Sequence, residues 1–410
     1  MNILILGGTK FIGPFVVREL VALGHEVTIF HRGETEQALP PSVRHVHGDF
    51  ADFNQHLDSL RGLFPEVVLD MTPFRAEDAE RLKAFEGVAR RVVAISSQDV
   101  YRAFGRFWRT EPGPPDPMPL TEDSPLREKL SARGLDYNKT AIERALLERP
   151  NLHATILRLS AIHGPGDHVH RLFSFIKRMD DGRPFILLSE AAGQWRWARG
   201  YVEDMAHAIV LAVTDERAAG RIYNVAYEKT FTGAEWVQQI ARIVGWKGEV
   251  LVLPIDQLPA HLQSDKFDLT QQFEVDSSRI RRELGYAEIV EFDEALRRTT
   301  DWERKNPPAK VDPSEFNYEA EDAAVTRFRN VMPVNKVVFP LSVRFEDGSI
   351  EEYESIEHLE LNLEDFDSDI DVACRVYDNL GRPVHLKLKL LEVKELFLTA
   401  DSASQSEKDE

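Results

Sequence analysis

The first thirteen residues restrict the fold of this chain more than any other segment. Residues 1–6 are a short apolar run of strand type, and Gly7-Gly8-Thr9-Lys10-Phe11-Ile12-Gly13 follows at once. Ile12, Phe15, Val16, Leu20 and Leu23 then recur at helical spacing until Gly24 closes the segment. A strand, a glycine turn and a helix in that order build a phosphate cradle. The helix start leaves backbone N–H groups unpaired and carries partial positive charge, so a pyrophosphate can rest there. Gly7 and Gly8 permit a sharp turn and close approach of the ligand, and Gly13 permits the helix to pack on the strand. The dinucleotide pattern GxxGxxG, started at Gly7, places a glycine at position 10. Here Lys10 stands instead, which restricts the approach but adds a cation beside the phosphates.

With 410 residues the chain can bury a large core and is expected to hold more than one domain. No apolar stretch approaches the ~20 residues needed to span a bilayer. The chain opens on a strand rather than a basic, apolar leader, from which a cytoplasmic location is expected. Cys374 is the single cysteine, which leaves no internal disulfide and no cysteine metal cluster. The net charge of −19 is unevenly spread: residues 311–410 hold 10 Lys and Arg against 24 Asp and Glu. Such a tail repels nucleic acid and anionic membranes, and is read as a solvated, solubilising face.

Apolar runs at 26–30, 43–47, 66–71, 91–97 and 153–159 continue the strand series, with helical patterns between them at 76–86 and 137–148. Buried strands alternating with helices predict an α/β fold, a doubly wound parallel sheet covered on both faces. Residues 111–125, rich in proline and acid, read as a loop inserted after the fifth strand. The prolines around 305–313 mark a domain boundary. Beyond a linker at 305–330, residues 331–400 read as a small acidic α+β module. Its hairpins are expected around turns at 346–348 and 378–381, with a short helix at 356–363 between them, and a disordered tail at 401–410.

Residues 1–304 resemble the extended short-chain dehydrogenase/reductase family, in its NAD-dependent epimerase/dehydratase group. The resemblance is carried by the opening glycine motif, Gly48-Asp49-Phe50, Ile95-Ser96-Ser97-Gln98-Asp99-Val100-Tyr101, Ile156-Leu157-Arg158, and Gly164-Pro165-Gly166-Asp167. Further on it is carried by Tyr201-Val202-Glu203-Asp204-Met205-Ala206, Ile222-Tyr223-Asn224-Val225 and residues 279–286. The GGTxFIG form looks like an atypical branch that includes chloroplast stem-loop-binding proteins.

The resemblance implies a Rossmann sheet with a smaller substrate domain (largely 164–200 and 225–304), a homodimer through helices, and a small-molecule substrate that is a sugar or nucleotide-sugar. It also implies that Asp49 and Phe50 hold the adenine and that Thr72 lies along the cofactor. NAD binders place an acid after the second strand; here His31-Arg32 stands there, and Arg32 with Lys10 suits a 2′-phosphate. NADP is therefore expected over NAD.

Family chemistry uses a hydroxyl, a tyrosine and a lysine. Ser97 matches the hydroxyl, Lys139 the lysine, and Asp99 the place of a catalytic glutamate in sugar dehydratases; Gln98 stands where these carry an aspartate. The Tyr-x-x-x-Lys spacing fails, because Leu135 precedes Lys139 by four and the tyrosine is Tyr137. On a regular helix that two-residue offset is about 200°, which sends the side chains to different faces. Tyr137 can lie before the helix and be re-aimed, Asp99 can replace it, or the site can bind cofactor without redox chemistry.

His163, Asp167, His168 and His170 crowd one loop, but the family turn explains them and no metal site is assigned. Trp195, Arg196, Trp197 and Arg199 fit either an arginine clamp for a nucleotide diphosphate or a packed strand with solvated arginines. Asp204 reads as a cap or first-turn acid of the helix that follows. The leading reading is transient hydride transfer on a sugar. Its rivals are a cofactor sensor or scaffold whose acidic module binds a protein partner, and an RNA-binding relative, which the net charge opposes.

Overall fold

This computed structural model describes residues 1–35, 39–129, 131–134, 136–264 and 266–330, with the strand segments 341–344, 350–353, 371–377 and 383–389 beyond. The opening unit is β1 (Asn2–Leu6), α1 (Gly13–Ala22) and β2 (Glu26–His31), followed by β3 (Arg44–His47) and α2 (Phe53–Arg61). Then come β4 (Val67–Asp70), α3 (Ala79–Lys83), β5 (Arg91–Ser97), α4 (Arg102–Phe107), α5 (Lys139–Leu147), β6 (Thr155–Leu159) and β7 (Ala161–His163). The chain continues through α6 (Phe173–Asp180), β8 (Phe185–Ser189), α7 (Glu190–Gln194), β9 (Arg199–Tyr201), α8 (Val202–Thr214), β10 (Ile222–Val225), α9 (Gly233–Val244) and β11 (Glu249–Leu253). The last helices are α10 (Ser278–Leu284), α11 (Phe292–Lys305) and α12 (Tyr318–Asn330).

Seven strands form one parallel sheet in the order β10-β6-β5-β4-β1-β2-β3. This is a Rossmann-like, doubly wound sheet whose order reverses between β1 and β4, where the carboxyl ends of the strands open a crevice. The two-residue alternation of β1 feeds both faces. Ile3 and Ile5 pack with Val16, Val17 and Leu20 of α1 and with α8, while Leu4 and Leu6 pack with Leu60, Leu82 and Ile142 from α2, α3 and α5. Each such fully buried aliphatic side chain contributes about 1.5–3 kcal/mol.

One buried ion pair fixes α5 against the sheet. Arg158 of β6 meets Glu143 of α5 at 2.7 Å, and Glu143 also accepts from Ser96. Arg158 reaches the Tyr101 hydroxyl at 3.1 Å, which in turn donates to Asn224 at 2.6 Å. Losing one partner of such a pair leaves a buried charge uncompensated, so the pair holds α5 in one register.

The smaller part of this unit pairs β8 with β11 in parallel and packs α6, α9 and α11 around Ile176, Trp236, Ile240 and Leu296. By its internal contacts the chain divides into Met1–Ile255 with Ala260–Phe316, and Asp256–Pro259 with Asn317–Glu410. The stretch expected as a linker carries a short turn at Pro313–Phe316 and the 13-residue α12. In the later unit, β12 (Leu341–Arg344) pairs antiparallel with β13 (Ile350–Tyr353), and β14 (Asp371–Tyr377) with β15 (Pro383–Lys389). The helix expected at 356–363 and the tail at 401–410 lie outside the described residues. No helix among the described residues is long and apolar enough to cross a membrane.

Candidate active site

The crevice at the strand reversal holds a cavity of about 280 Å³ lined by residues 7–12, 31–35, Phe50, Met71, Thr72 and Phe74. Gly7 and Gly8 adopt φ of +88° and +90°, backbone that side chains rarely tolerate. A Cβ on Gly7 would stand 2.8 Å from Thr72 Cγ2, and one on Gly13 only 2.4 Å from the Gly8 carbonyl. The turn is therefore pressed against Thr72 on one side and α1 on the other. α1 has no acid in its first turn, so its amino end keeps its positive character. Lys10 is exposed at the rim.

Thr72 is held by two residues that sequence reasoning missed. Asp70, fully buried at the end of β4, accepts from the Thr72 amide at 2.8 Å, and Arg81 donates to Asp70 at 3.1 Å and to the Thr72 carbonyl at 2.9 Å. Burial pushes the Asp70 carboxyl up, against the Arg81 charge and the Thr72 amide, which pull it down. An acid closing an apolar strand was the available signal. Asp49 lies outside the cavity wall and caps the turn at Phe50, accepting from the Ala51 amide at 2.8 Å; the Arg81 guanidinium lies over the Phe50 ring. Arg32 reaches Glu34 at 3.0 Å, with 49% and 62% of their side chains exposed. An acid thus lines the cavity two residues after Arg32, where the His31-Arg32 pair alone suggested none.

A second cavity of about 520 Å³ begins at Ser97 and Asp99. Ser97 ends β5 and accepts from the Asp99 amide at 3.3 Å. Tyr137 precedes α5, whose cap is Asn138, and is buried with its hydroxyl electrostatically coupled to Asp99 and Ser97. The backbone before the helix, not a helical turn, therefore aims this tyrosine. Neither Asp99 oxygen makes a hydrogen bond of good geometry, although Tyr137 interacts with it electrostatically. Burial pushes Asp99 up, opposed by Tyr137 and by the Arg127 and Lys139 charges. Burial, then Asp99, push Tyr137 far above its ordinary value.

Lys139 opens α5 and is buried; its ammonium donates to the Ile95 carbonyl at 2.8 Å and the Pro73 carbonyl at 3.0 Å. Burial lowers it to about 8, with Asp99, Asp70 and Glu143 pulling the other way. Its ammonium stands 5.0 Å from the Phe74 ring and 5.8 Å from the Tyr137 ring. Phe74 lines the first cavity, so the Lys139 ammonium lies against that wall. Gln98 faces the carbonyls of Arg158 and Val225 and ties β6 to β10 rather than supplying an acid.

The rest of the larger cavity is aromatic, and most of it escaped sequence reasoning. Phe107 stacks on Trp195 at 5.0 Å and on Phe267 at 4.6 Å, and Phe104, Trp108 and Phe273 complete this wall. Opposite, Arg199 lies 4.4 Å from the Trp236 ring and donates to the Trp197 carbonyl at 3.0 Å. Burial, then the nearby Arg171, lower Arg199 to about 9, which leaves it charged at neutral pH. Arg171 is compensated by Asp167 at 2.5 Å. Of the remaining arginine-loop residues, Arg196 points elsewhere and donates to the Thr230 carbonyl. His163 is taken up by Thr299 at 2.9 Å and Tyr227 at 3.2 Å, and burial lowers it to about 3. His170 pairs with Glu303 at 2.7 Å. Asp204 lies in the first turn of α8, but its carboxylate accepts from the Ile289 and Val290 amides and so clasps a distant loop.

Residues 3–226, more than half of the chain, match the NAD dependent epimerase/dehydratase family. The chain belongs to that family. Among its relatives, the chloroplast stem-loop binding protein of 41 kDa b of Arabidopsis thaliana is 30% identical over 247 residues, covering 57% of this chain and 61% of that protein. The 2′-dehydrokanamycin reductase of Streptomyces kanamyceticus is 26% identical over 275 residues, covering 65% and 73%. The chain thus spans less than two thirds of the Arabidopsis relative's length. Among solved structures, the UDP-glucose-4-epimerase of Stenotrophomonas maltophila, with bound NAD and formylated UDP-arabinopyranose, superposes with a TM-score of 0.58 at 19% identity, covering 76% of this chain and all of that one. Likeness at that identity establishes the family's fold.

Proposed function

We propose that this protein is an NAD(P)-dependent oxidoreductase of the epimerase/dehydratase type that acts on a sugar or nucleotide-sugar. The observation that carries this reading is the cluster of Ser97, Asp99, Tyr137 and Lys139 after β5: Ser97 and Asp99 line the larger cavity, and the Lys139 ammonium sits on the Pro73 carbonyl, next to Thr72 and Phe74 of the glycine-turn cavity. The glycine turn fits a dinucleotide, because Gly7 and Gly8 hold positive φ and an added Cβ on Gly7 or Gly13 would strike Thr72 or the Gly8 backbone, so the tight turn at the start of α1 admits no side chain there. The amides of residues 8–12 and the α1 start would hold the phosphates, Thr72 would border the chain of the cofactor, and Phe50 would face the adenine. Arg32 supports NADP over NAD, since a 2′-phosphate can displace Glu34 from its guanidinium. When bound, the nicotinamide supplies a hydride acceptor or donor for a carbinol or carbonyl carbon.

The residues of the chain divide the remaining work. The Ser97 hydroxyl orients the substrate oxygen. Asp99, whose burial keeps its proton to higher pH than an ordinary carboxyl, moves the proton. Tyr137, pushed up rather than down, stays a neutral phenol beside Asp99 and does not serve as the base. Lys139, charged below about pH 8, supplies a positive field beside Asp99 and the Phe74 wall of the first cavity. Arg199, with no carboxylate beside it among the described residues, suits an anionic group of the substrate, and the aromatic wall suits the apolar face of a sugar or a base.

The test is incubation of the full chain with NADPH or NADH, or their oxidised forms, and a panel of sugars and nucleotide-sugars, followed by mass spectrometry of products. Conversion that vanishes in Asp99→Asn supports the reading. The unactivated Tyr137 favours one rival: cofactor binding without turnover. Tight binding with no conversion of any panel member would establish that rival instead.

A further inference from the structure

Away from the polar corner, three imidazoles converge at the edge of the main sheet. His45 and His47 alternate on β3, the edge strand, and His31 at the end of β2 pairs in register with His47. Residues two apart on a strand share a face, so one sheet face carries all three rings. His31 is buried at 4% exposure, while His45 and His47 are exposed. One ring nitrogen from each lies within 4.8 Å of the other two, and among the described residues this is the one group of three such side chains that close. His31 Nε2 stands 2.9 Å from His45 Nδ1. The ring centroids are 4.9 Å apart for His31 and His47 and 5.1 Å for His31 and His45.

We propose that His31, His45 and His47 form a binding site for a divalent metal ion of the imidazole-preferring class, zinc foremost. Three neutral imidazoles with no carboxylate among them suit zinc, nickel or copper and do not suit magnesium or calcium. Zinc–nitrogen bonds of about 2.0–2.1 Å in a tetrahedral site put ligand nitrogens about 3.3 Å apart. The His31–His45 pair needs to open by only a few tenths of an ångström to reach that spacing. The three donors come from two adjacent rigid strands, which fixes them more firmly than a loop would. A three-histidine set leaves a fourth position for water or another ligand.

The metal-free state has its own bonding, which loading must replace. The Gly33 amide donates to His31 Nδ1 at 3.1 Å, which assigns the ring proton to Nε2, facing His45. Binding through Nε2 requires that single proton to shift to Nδ1, leaving the ring neutral, so the Gly33 amide must release its bond. Gly33 and His31 both line the dinucleotide cavity. The proposed ion thus adjoins the cofactor cavity but uses none of the residues assigned to catalysis.

The test uses the untagged full chain, freed of metal by chelator and titrated with Zn²⁺ alone by calorimetry. The expected result is one equivalent bound at micromolar affinity or tighter, weakened more than about 100-fold in a His45→Ala, His47→Ala double variant. Both side chains are exposed, and the metal-free variant is expected to remain folded, which its melting curve checks. The single variant His45→Ala is expected to lose most of the affinity by itself. Co²⁺ in place of Zn²⁺ is expected to give the intense visible absorption of a four-coordinate ion in the parent only. Absence of micromolar binding overturns the proposal, as does a double variant that binds Zn²⁺ like the parent. Either result leaves the oxidoreductase reading untouched.

Discussion

The residues of the glycine turn come from one run of seven, whereas the walls of the larger cavity come from separate segments between Ser97 and Phe273. The turn is made of backbone, and what matters there is the absence of side chains at Gly7, Gly8 and Gly13. The cavity is made of side chains: stacked rings, Arg199 with no carboxylate beside it among the described residues, and a carboxyl with no well-formed hydrogen bond. A backbone device announces itself locally in sequence. A side-chain device emerges only when distant segments pack.

The sharpest separation of the two regions is Asp99→Asn. It is expected to lower turnover by about 10²–10⁴-fold, the range for losing a general acid–base group, with NADPH affinity unchanged. Steady-state kinetics beside a binding titration measures both. A parallel fall in cofactor affinity would show that the two regions are not separable.

Next in size is Gly13→Val, which acts on the cradle alone. Its added atoms meet the Gly8 backbone, and overpacking of this kind costs about 1–3 kcal/mol. Weaker NADPH binding and a lower melting temperature are expected, readable by fluorescence titration and calorimetry. Wild-type affinity in this variant would contradict the close packing of α1 on the turn.

Much of this contrast is legible in the amino-acid sequence. The strand series, the doubly wound sheet and the glycine turn follow from periodicity and from Gly7 to Gly13. The position of Tyr137 does not, because two-residue spacing on a helix excludes a shared face, and only the Asn138 cap shows that Tyr137 precedes the helix. Asp70 and Arg81 escape notice because their bond forms across a strand end and a helix. Phe107 and Phe267 lie 160 positions apart and nothing local marks them as stacked partners. Glu34 is easily overlooked because the acid follows Arg32 by two residues instead of closing the strand.

A smaller effect sharpens the cofactor side. Arg32→Ala is expected to lower the preference for NADPH over NADH about tenfold, the equivalent of one charge-assisted hydrogen bond in water-exposed surroundings. Parallel titrations with both coenzymes check it. An unchanged ratio would assign the ribose end to Glu34.

The smallest expected effect is on pH. Burial lowers Lys139 to about 8, so its positive charge is present below that pH and is lost as pH rises through it, well before a free lysine would titrate. Affinity for the negatively charged cofactor is therefore expected to decline a few-fold between pH 7 and 9, by an amount that Lys139→Arg removes. Calorimetric titrations across that interval decide this.

Both regions act together only if a dinucleotide lies across the turn with its nicotinamide reaching the corner of Ser97, Asp99, Tyr137 and Lys139. A crystal structure of the full chain with NADPH tests that most directly. Pyrophosphate seated on the amides at the amino end of α1, with the nicotinamide ring facing Asp99 and Tyr137, is the expected result. A coenzyme bound elsewhere, or a nicotinamide turned away from that corner, would contradict it.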